Sequence, residues 1–125
     1  MPKTILIVED ELPLLRALTQ KFEKEGFVIL QAKDGVEGLA MAKSHHPDLI
    51  LLDLLLPGLS GMEILRDLRR DEWGVSVPVI ILTNLSDSEK VAEALTHDVG
   101  DYLVKSDWML ADLVKKVHDK FGLTN

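Results

Sequence analysis

The chain has no cysteine among its 125 residues, which removes disulfides, thiolate metal sites and a thiol nucleophile, and agrees with a reducing compartment. It also lacks any apolar stretch long enough to span a bilayer, and Met1-Pro2-Lys3 leads straight into a strand-like run with no apolar signal region before it. A cytoplasmic location away from membranes is expected. Basic residues are in deficit: 14 Lys and Arg against 21 Asp and Glu leave a formal net charge of −7. That balance disfavours nonspecific attraction to nucleic acid or to an anionic membrane, so DNA binding is expected to need another domain. What is present is apolar mass, 46% of the residues, enough at this length for one core but not two. A single domain over 1–125 is expected.

Short β-rich runs alternate with segments of helical period, the pattern of repeated βα units. Strands are expected at about 3–8, 27–31, 48–53, 77–82 and 101–104, with ends uncertain by about two to four residues. The first helix, near 13–25, opens on Pro13, carries Leu14, Leu15, Leu18 and Phe22 on one face and ends at Gly26. The second, near 36–46, follows Asp34-Gly35 and stops before Pro47, and the third, near 61–71, follows Ser60-Gly61. A fourth is expected after Ser86-Asp87-Ser88-Glu89, a capping-box pattern. The fifth carries Leu110, Leu113, Val114, Val117 and Phe121 on one stripe, with Ser106 or Asp107 as its cap.

Strands buried on both faces and paired on both edges tend to be continuous apolar runs. The first, third and fourth strands meet that test, whereas the second is flanked by Gln31 and Lys33 and the fifth is short. That interior and those edges fit the order 2-1-3-4-5, that of a flavodoxin-like, doubly wound, five-stranded parallel α/β sheet with five helices. Right-handed crossovers place the first and fifth helices on one face and the other three on the opposite face. The same edge of such a sheet then collects polar residues that each end an apolar run: Glu9-Asp10 after Ile5-Leu6-Ile7-Val8, Asp53 after Leu49-Ile50-Leu51-Leu52, Thr83 after Val79-Ile80-Ile81-Leu82, and Lys105 after Tyr102-Leu103-Val104.

Three carboxylates, a hydroxyl and an ammonium converging on one pocket suit phosphoryl transfer with a divalent cation. Packed carboxylates repel, so such a site either raises a pKa or binds a cation. Oxygen-only ligands favour Mg²⁺ or Mn²⁺. Singly, each residue has a plainer reading, since an Asp or Thr after a strand is usually a cap or turn former and a terminal Lys is usually solvated. Their joint placement gives the functional reading its weight. His45 and His46 end a helix, where histidine suits the dipole rather than a metal. Trp73 and Trp108 read as partly exposed surface aromatics.

These residues and their flanks, with Asp34-Gly35, Pro47-Asp48, Pro57-Gly58, Gly61 and Asp101-Tyr102-Leu103, resemble the receiver domain of two-component response regulators along the whole chain. The resemblance implies Asp53 as phosphoacceptor, with Thr83 and Lys105 contacting the phosphoryl oxygens. It implies Mg²⁺ held by the Asp10 and Asp53 side chains and the Leu55 backbone carbonyl, Glu9 acting mainly through a bound water, and Glu11 as a solvated neighbour. Thr83 and Tyr102 are the implied switch pair, altering a face made by the fourth helix, fifth strand and fifth helix. The implied partners are a sensor histidine kinase or phosphotransfer protein and an effector on that face, with the chain a monomer or a phosphorylation-dependent dimer. Such a domain catalyses only its own phosphorylation and dephosphorylation.

The chain departs from the family pattern at Glu9, where Asp is commoner, at Asn84 and Asp98, where small residues are usual, and at Ser106 in place of a proline, so that Lys105-Ser106 is expected to be trans. Leu55 and Leu85 are apolar where water-orienting residues influence hydrolysis, which implies slow loss of the phosphoryl group. Two other classes compete. A degenerate receiver used only for docking is disfavoured because every reactive position holds a competent side chain. A flavodoxin-type cofactor binder needs a phosphate loop after the first strand, where Val8-Glu9-Asp10-Glu11 repels phosphate, and an aspartate-nucleophile phosphatase usually needs a second acid where Leu55 stands.

Overall fold

Five runs rich in Leu, Ile and Val form strands, β1 (Thr4–Val8), β2 (Val28–Ala32), β3 (Leu49–Asp53), β4 (Val79–Thr83) and β5 (Asp101–Val104). A computed structural model describes residues 2–54, 56–83, 92, 101–104 and 110–123. All strands are parallel, in the order β2-β1-β3-β4-β5. The helices among the described residues are α1 (Leu12–Lys24), α2 (Gly35–His45), α3 (Gly61–Arg70) and a C-terminal helix (Leu110–Lys120). The expected strand order, edges and interior are therefore found. The fourth helix expected after Ser86, the cap at Ser106 or Asp107, and Asn84, Asp98 and Trp108 lie outside the described residues.

The strand period of two splits the core into two layers. Leu6, Val8, Ile50, Leu52, Val79 and Ile81 pack with Ala42 of α2 and with Ile64, Leu65 and Leu68 of α3. Their sequence neighbours Ile5, Ile7, Leu49, Leu51, Ile80 and Leu82 point the other way, against Leu15, Leu18 and Phe22 of α1 and Leu113, Val114 and Val117 of the C-terminal helix. Every residue of β3 is buried, as a central strand requires, whereas edge strand β2 leaves Val28 and Gln31 exposed. Gln31 turns that exposure to use: its Nε2 donates to Thr19 Oγ1 at 2.8 Å and ties the edge to α1.

Local chemistry sets the helix ends. Pro13 occupies the first turn of α1, where no N–H is needed. Leu15, Leu18 and Phe22 are buried, and Leu14 packs half-buried on the same cluster. Gly26, at φ +96°, ends the helix in a backbone state that a Cβ disfavours. Asp34 caps α2 by accepting from Glu37 N at 2.8 Å. At the far end of α2, His46 takes the left-handed conformation (φ 48°), and its ring stacks on Trp73 with centroids 4.5 Å apart and planes within 7°. Trp73, partly exposed as expected, thus joins the α2–β3 and α3–β4 connections. Arg69 Nη1 fixes the latter loop by donating to the carbonyls of Gly74 (2.6 Å) and Val77 (3.0 Å).

Phe22 is fully buried where α1 meets the sheet, whereas Val36 is 64% exposed. Phe22→Ala is expected to cost about 3–5 kcal/mol in denaturant unfolding through lost burial and an unfilled cavity. Val36→Ala is expected to stay within about 0.5 kcal/mol of the parent. Equal losses would mean that the face of α1 against the sheet is misassigned.

Candidate functional site

Strand register brings the acidic residues together. Val8 pairs with Leu52, so Glu9 and Asp53, each the next residue along, leave neighbouring strands at one level. This is the point where the chain order reverses about β1, and it opens a crevice at the carboxyl ends of the strands. Single ligand oxygens of Glu9, Asp10 and Asp53 all lie within 4.8 Å of one another, and no other such group of metal-ligand residues occurs among the described residues. Burial falls across the cluster: Glu9 is fully buried and Asp53 nearly so, while Asp10 is exposed.

The backbone around Glu9 orients it. Its N–H donates to the Ala32 carbonyl at 3.0 Å, extending the β1–β2 ladder one residue past the strand, and its Oε2 accepts from the Glu11 amide at 3.1 Å. Glu11 itself is exposed and precedes α1 as its N-cap. A carboxylate enclosed to this degree is costly unless cationic or hydrogen-bonding partners meet it. Three clustered carboxylates with oxygen donors only, grading from buried to exposed, fit a hard divalent cation approaching from the solvent side.

The segment after Asp53 is held from two directions. Gly61 N donates to the Leu54 carbonyl at 3.1 Å, and Gly35 N to the Pro57 carbonyl at 3.4 Å. Both glycines sit where no side chain fits: a Cβ on Gly35 would fall on the Leu59 carbonyl oxygen, and one on Gly61 would lie 2.5 Å from the Asp53 carbonyl oxygen and 2.6 Å from Leu54 Cα. Ser60 and Glu63 form a reciprocal capping box at the start of α3, each backbone N–H donating to the other's side chain at 3.3 Å. The S-x-x-E pattern at 60–63 is the local sequence signal for this box. The glycine contacts had no local signal, because Leu59 and Gly35 are far apart in sequence.

The other expected site residues fall as follows. Thr83 closes β4; since Asp53 pairs with Leu82, its backbone stands one residue beyond that level on the strand next to Asp53. Tyr102 lies on β5 opposite Ile81 and is 42% exposed. Leu55 and Lys105 lie outside the described residues. His45 is the last residue of α2 and His46 its C-cap, as their reading as helix-end residues expects.

Comparison with known proteins matches this arrangement. The model of the response regulator receiver domain family matches residues 5–118. The chain belongs to the response regulator receiver domain family. It is 40% identical over 103 residues to the phosphate regulon transcriptional regulatory protein PhoB of Pseudomonas aeruginosa, a match that covers 82% of this chain and 45% of that protein. The chain therefore spans less than half the length of this relative. Among solved structures, a CheY-like receiver domain protein of Methanospirillum hungatei superposes with a TM-score of 0.88 at 28% identity, covering 96% of this chain and 94% of the other. The receiver domain of the sensor histidine kinase PA1611 of Pseudomonas aeruginosa gives 0.83 at 28% identity over 98% and 99%, and in that protein a magnesium ion is coordinated in the active-site cleft. No described helix of this chain is long and apolar enough to cross a membrane.

Gly61→Ala tests how tightly the Asp53 turn is held. The added methyl meets backbone rather than flexible side chain, so the substitution is expected to cost about 1–3 kcal/mol and to shift the backbone resonances of Asp53 and Leu54. A variant of parental stability with unmoved resonances would show that α3 does not press on the turn.

Proposed function

We propose that residues 1–125 act as a single receiver domain and switch state when Asp53 accepts a phosphoryl group from a phosphohistidine of a sensor kinase or phosphotransfer protein. The observation that carries this reading is the placement of the nearly buried Asp53 carboxylate beside Glu9 and Asp10 at the switch point of the sheet. In the transfer, an Asp53 carboxylate oxygen forms a bond to phosphorus while the phosphorus–nitrogen bond of the donor breaks. The electron pair leaves with the imidazole, which takes up a proton. An acyl phosphate on Asp53 is the product.

Asp10 and Asp53 would hold Mg²⁺ (or Mn²⁺) through their side chains, with the Leu55 carbonyl as a further ligand and Glu9 supporting a bound water. When bound, the ion neutralises phosphoryl charge that three carboxylates otherwise repel. Thr83, on the strand beside Asp53, would donate its hydroxyl to one phosphoryl oxygen, and Lys105 would pair with another. Movement of Thr83 toward that group, followed by Tyr102 of β5, would bias the output face formed by the segment before β5, β5 itself and the C-terminal helix. Tyr102 is 42% exposed on edge strand β5, which is compatible with the outward position from which that movement would start. The domain would act in the cytoplasm, bind an effector through that face and make no direct contact with nucleic acid or membrane.

Incubation with a small phosphodonor and Mg²⁺ is expected to add the mass of one phosphoryl group to the intact protein, and Asp53→Asn or omission of the metal to prevent it. Label acquired without metal, or retained in Asp53→Asn, would contradict the assignment. Followed by thermal unfolding, Mg²⁺ is expected to stabilise the parent as binding to the native state requires. Asp10→Asn should lose more of that stabilisation than Glu9→Gln, and equal losses would contradict the division into direct and water-mediated roles.

A further inference from the structure

The first turn of α2 touches both strand ends that carry the acidic cluster. On one side Gly38 packs on Val8, the residue before Glu9: a Cβ on Gly38 would stand 2.7 Å from Val8 Cγ1. On the other side Gly35 meets the turn that follows Asp53, donating its N–H to the Pro57 carbonyl at 3.4 Å, with the Leu59 carbonyl oxygen standing where its Cβ would be. Gly58 turns the chain between those two carbonyls at φ +77°, in the left-handed region that suits glycine. Leu55, whose carbonyl is the expected cation ligand, lies in sequence between Asp53 and Pro57.

A side chain at position 35 would force either the helix or the turn to yield. The helix is the better anchored of the two. The Asp34 side chain accepts from Glu37 N at 2.8 Å, the Asp34 carbonyl accepts from Gly38 N at 2.9 Å, and Ala42 is fully buried in the core layer with Leu39 and Met41 packed against it. Displacement of α2 would disturb all of these at once, and a close-packed interior transmits strain rather than absorbing it. The turn therefore moves, and with it the backbone between Asp53 and Pro57.

We propose that Gly35 is a positioning residue for the divalent cation: by lacking a side chain it lets the start of α2 hold the turn after Asp53 where that turn's backbone completes the Glu9–Asp10–Asp53 cluster. This role presupposes the cation-dependent phosphorylation proposed above. Gly35 touches neither cation nor phosphoryl group and acts only through the turn. Outer contacts of this kind fix the orientation of the ligands, and their loss typically lowers metal affinity by about 10–100-fold. Coupling of this sort is reciprocal, so a clamp that strengthens cation binding is itself strengthened by the cation, by the same free energy. Occupancy of the crevice is thereby felt at the start of α2, on the sheet face opposite the C-terminal helix.

Gly74 supplies the comparison for a test. A Cβ there would run into the Leu68 carbonyl oxygen, the same kind of backbone clash, but in the α3–β4 connection at the opposite edge of the sheet. Mg²⁺ titrations followed at the Asp53 amide resonance are expected to give Gly35→Ala a Kd about tenfold above the parent's and Gly74→Ala one within about twofold of it, although both variants lose stability in urea. Equal weakening in the two would make lost stability the cause, and a Gly35→Ala Kd equal to the parent's would remove the clamp; either result overturns the proposal. In the parent alone, saturating Mg²⁺ is expected to slow hydrogen exchange of the Gly35 amide about tenfold more than that of His46, whose N–H donates to the Ala42 carbonyl at 3.0 Å at the far end of the same helix. That measurement stands if Gly35→Ala fails to fold, and equal slowing of the two amides contradicts the coupling. A parent that binds no Mg²⁺ overturns the cation-dependent reading and the proposal with it, whereas a parent that binds Mg²⁺ and takes up the phosphoryl group while Gly35→Ala binds Mg²⁺ as tightly overturns the proposal alone.

Discussion

Mutual repulsion among three carboxylates at the ends of two adjacent strands is the constraint on which the rest of the molecule depends. Glu9 and Asp53 leave β1 and β3 at the same level because Val8 pairs with Leu52, and a slip of β1 by one residue would turn that strand's side chains to the opposite face and separate the two carboxylates. Holding those charges together, one of them wholly enclosed, is unfavourable by itself. The two fully packed layers on either side of the central strands offset it, and the oxygen-only cluster is of the kind that suits a divalent cation. A domain of this size is stable by only about 5–15 kcal/mol, so a strained acidic crevice is tolerable only beside a central sheet of this continuity.

The surroundings of Asp53 show how the constraint reaches into neighbouring elements. The turn that follows it is pressed between the start of α2 and the start of α3, through Gly35 and Gly61, at distances that admit no side chain. The Ser60–Glu63 box and the Asp34 cap anchor those helix starts. The backbone after Asp53 is therefore held directly by the starts of two helices. The opposite edge is organised by different means: the His46–Trp73 stack, the Arg69 hydrogen bonds and the His118–Glu25 contact close the connections there.

Much of this was legible in the sequence, for identifiable reasons. Continuous apolar runs marked β1, β3 and β4 as interior and left β2 and β5 for the edges, a division that fits the order β2-β1-β3-β4-β5 of a doubly wound sheet. Glycine, proline and Asp-Gly punctuation placed the ends of α1, α2 and α3 within a residue or two. The meeting of Glu9, Asp10 and Asp53 was legible because parallel topology alone sends all three to one edge. Contacts between residues distant in sequence were not: nothing near Trp73 points to His46, and nothing near Gly35 points to Leu59. The S-x-x-E box at Ser60 is a local signal that overlaps the Ser60-Gly61 turn signal marking the same helix start. The expected roles of Leu55 and Lys105 concern positions outside the described residues, and the Thr83 hydroxyl contact rests on the family resemblance and the register of β4.

The most direct test of the central claim, that the crowded carboxylates make Asp53 a cation-dependent phosphoryl acceptor, is to trap the acyl phosphate with borohydride and locate the product by peptide mass spectrometry. Reduction converts an aspartyl phosphate to homoserine. The account predicts homoserine at position 53 alone, and only when Mg²⁺ was present during phosphorylation. Homoserine at Asp10 or at any other aspartate, or at position 53 irrespective of the metal, would contradict it.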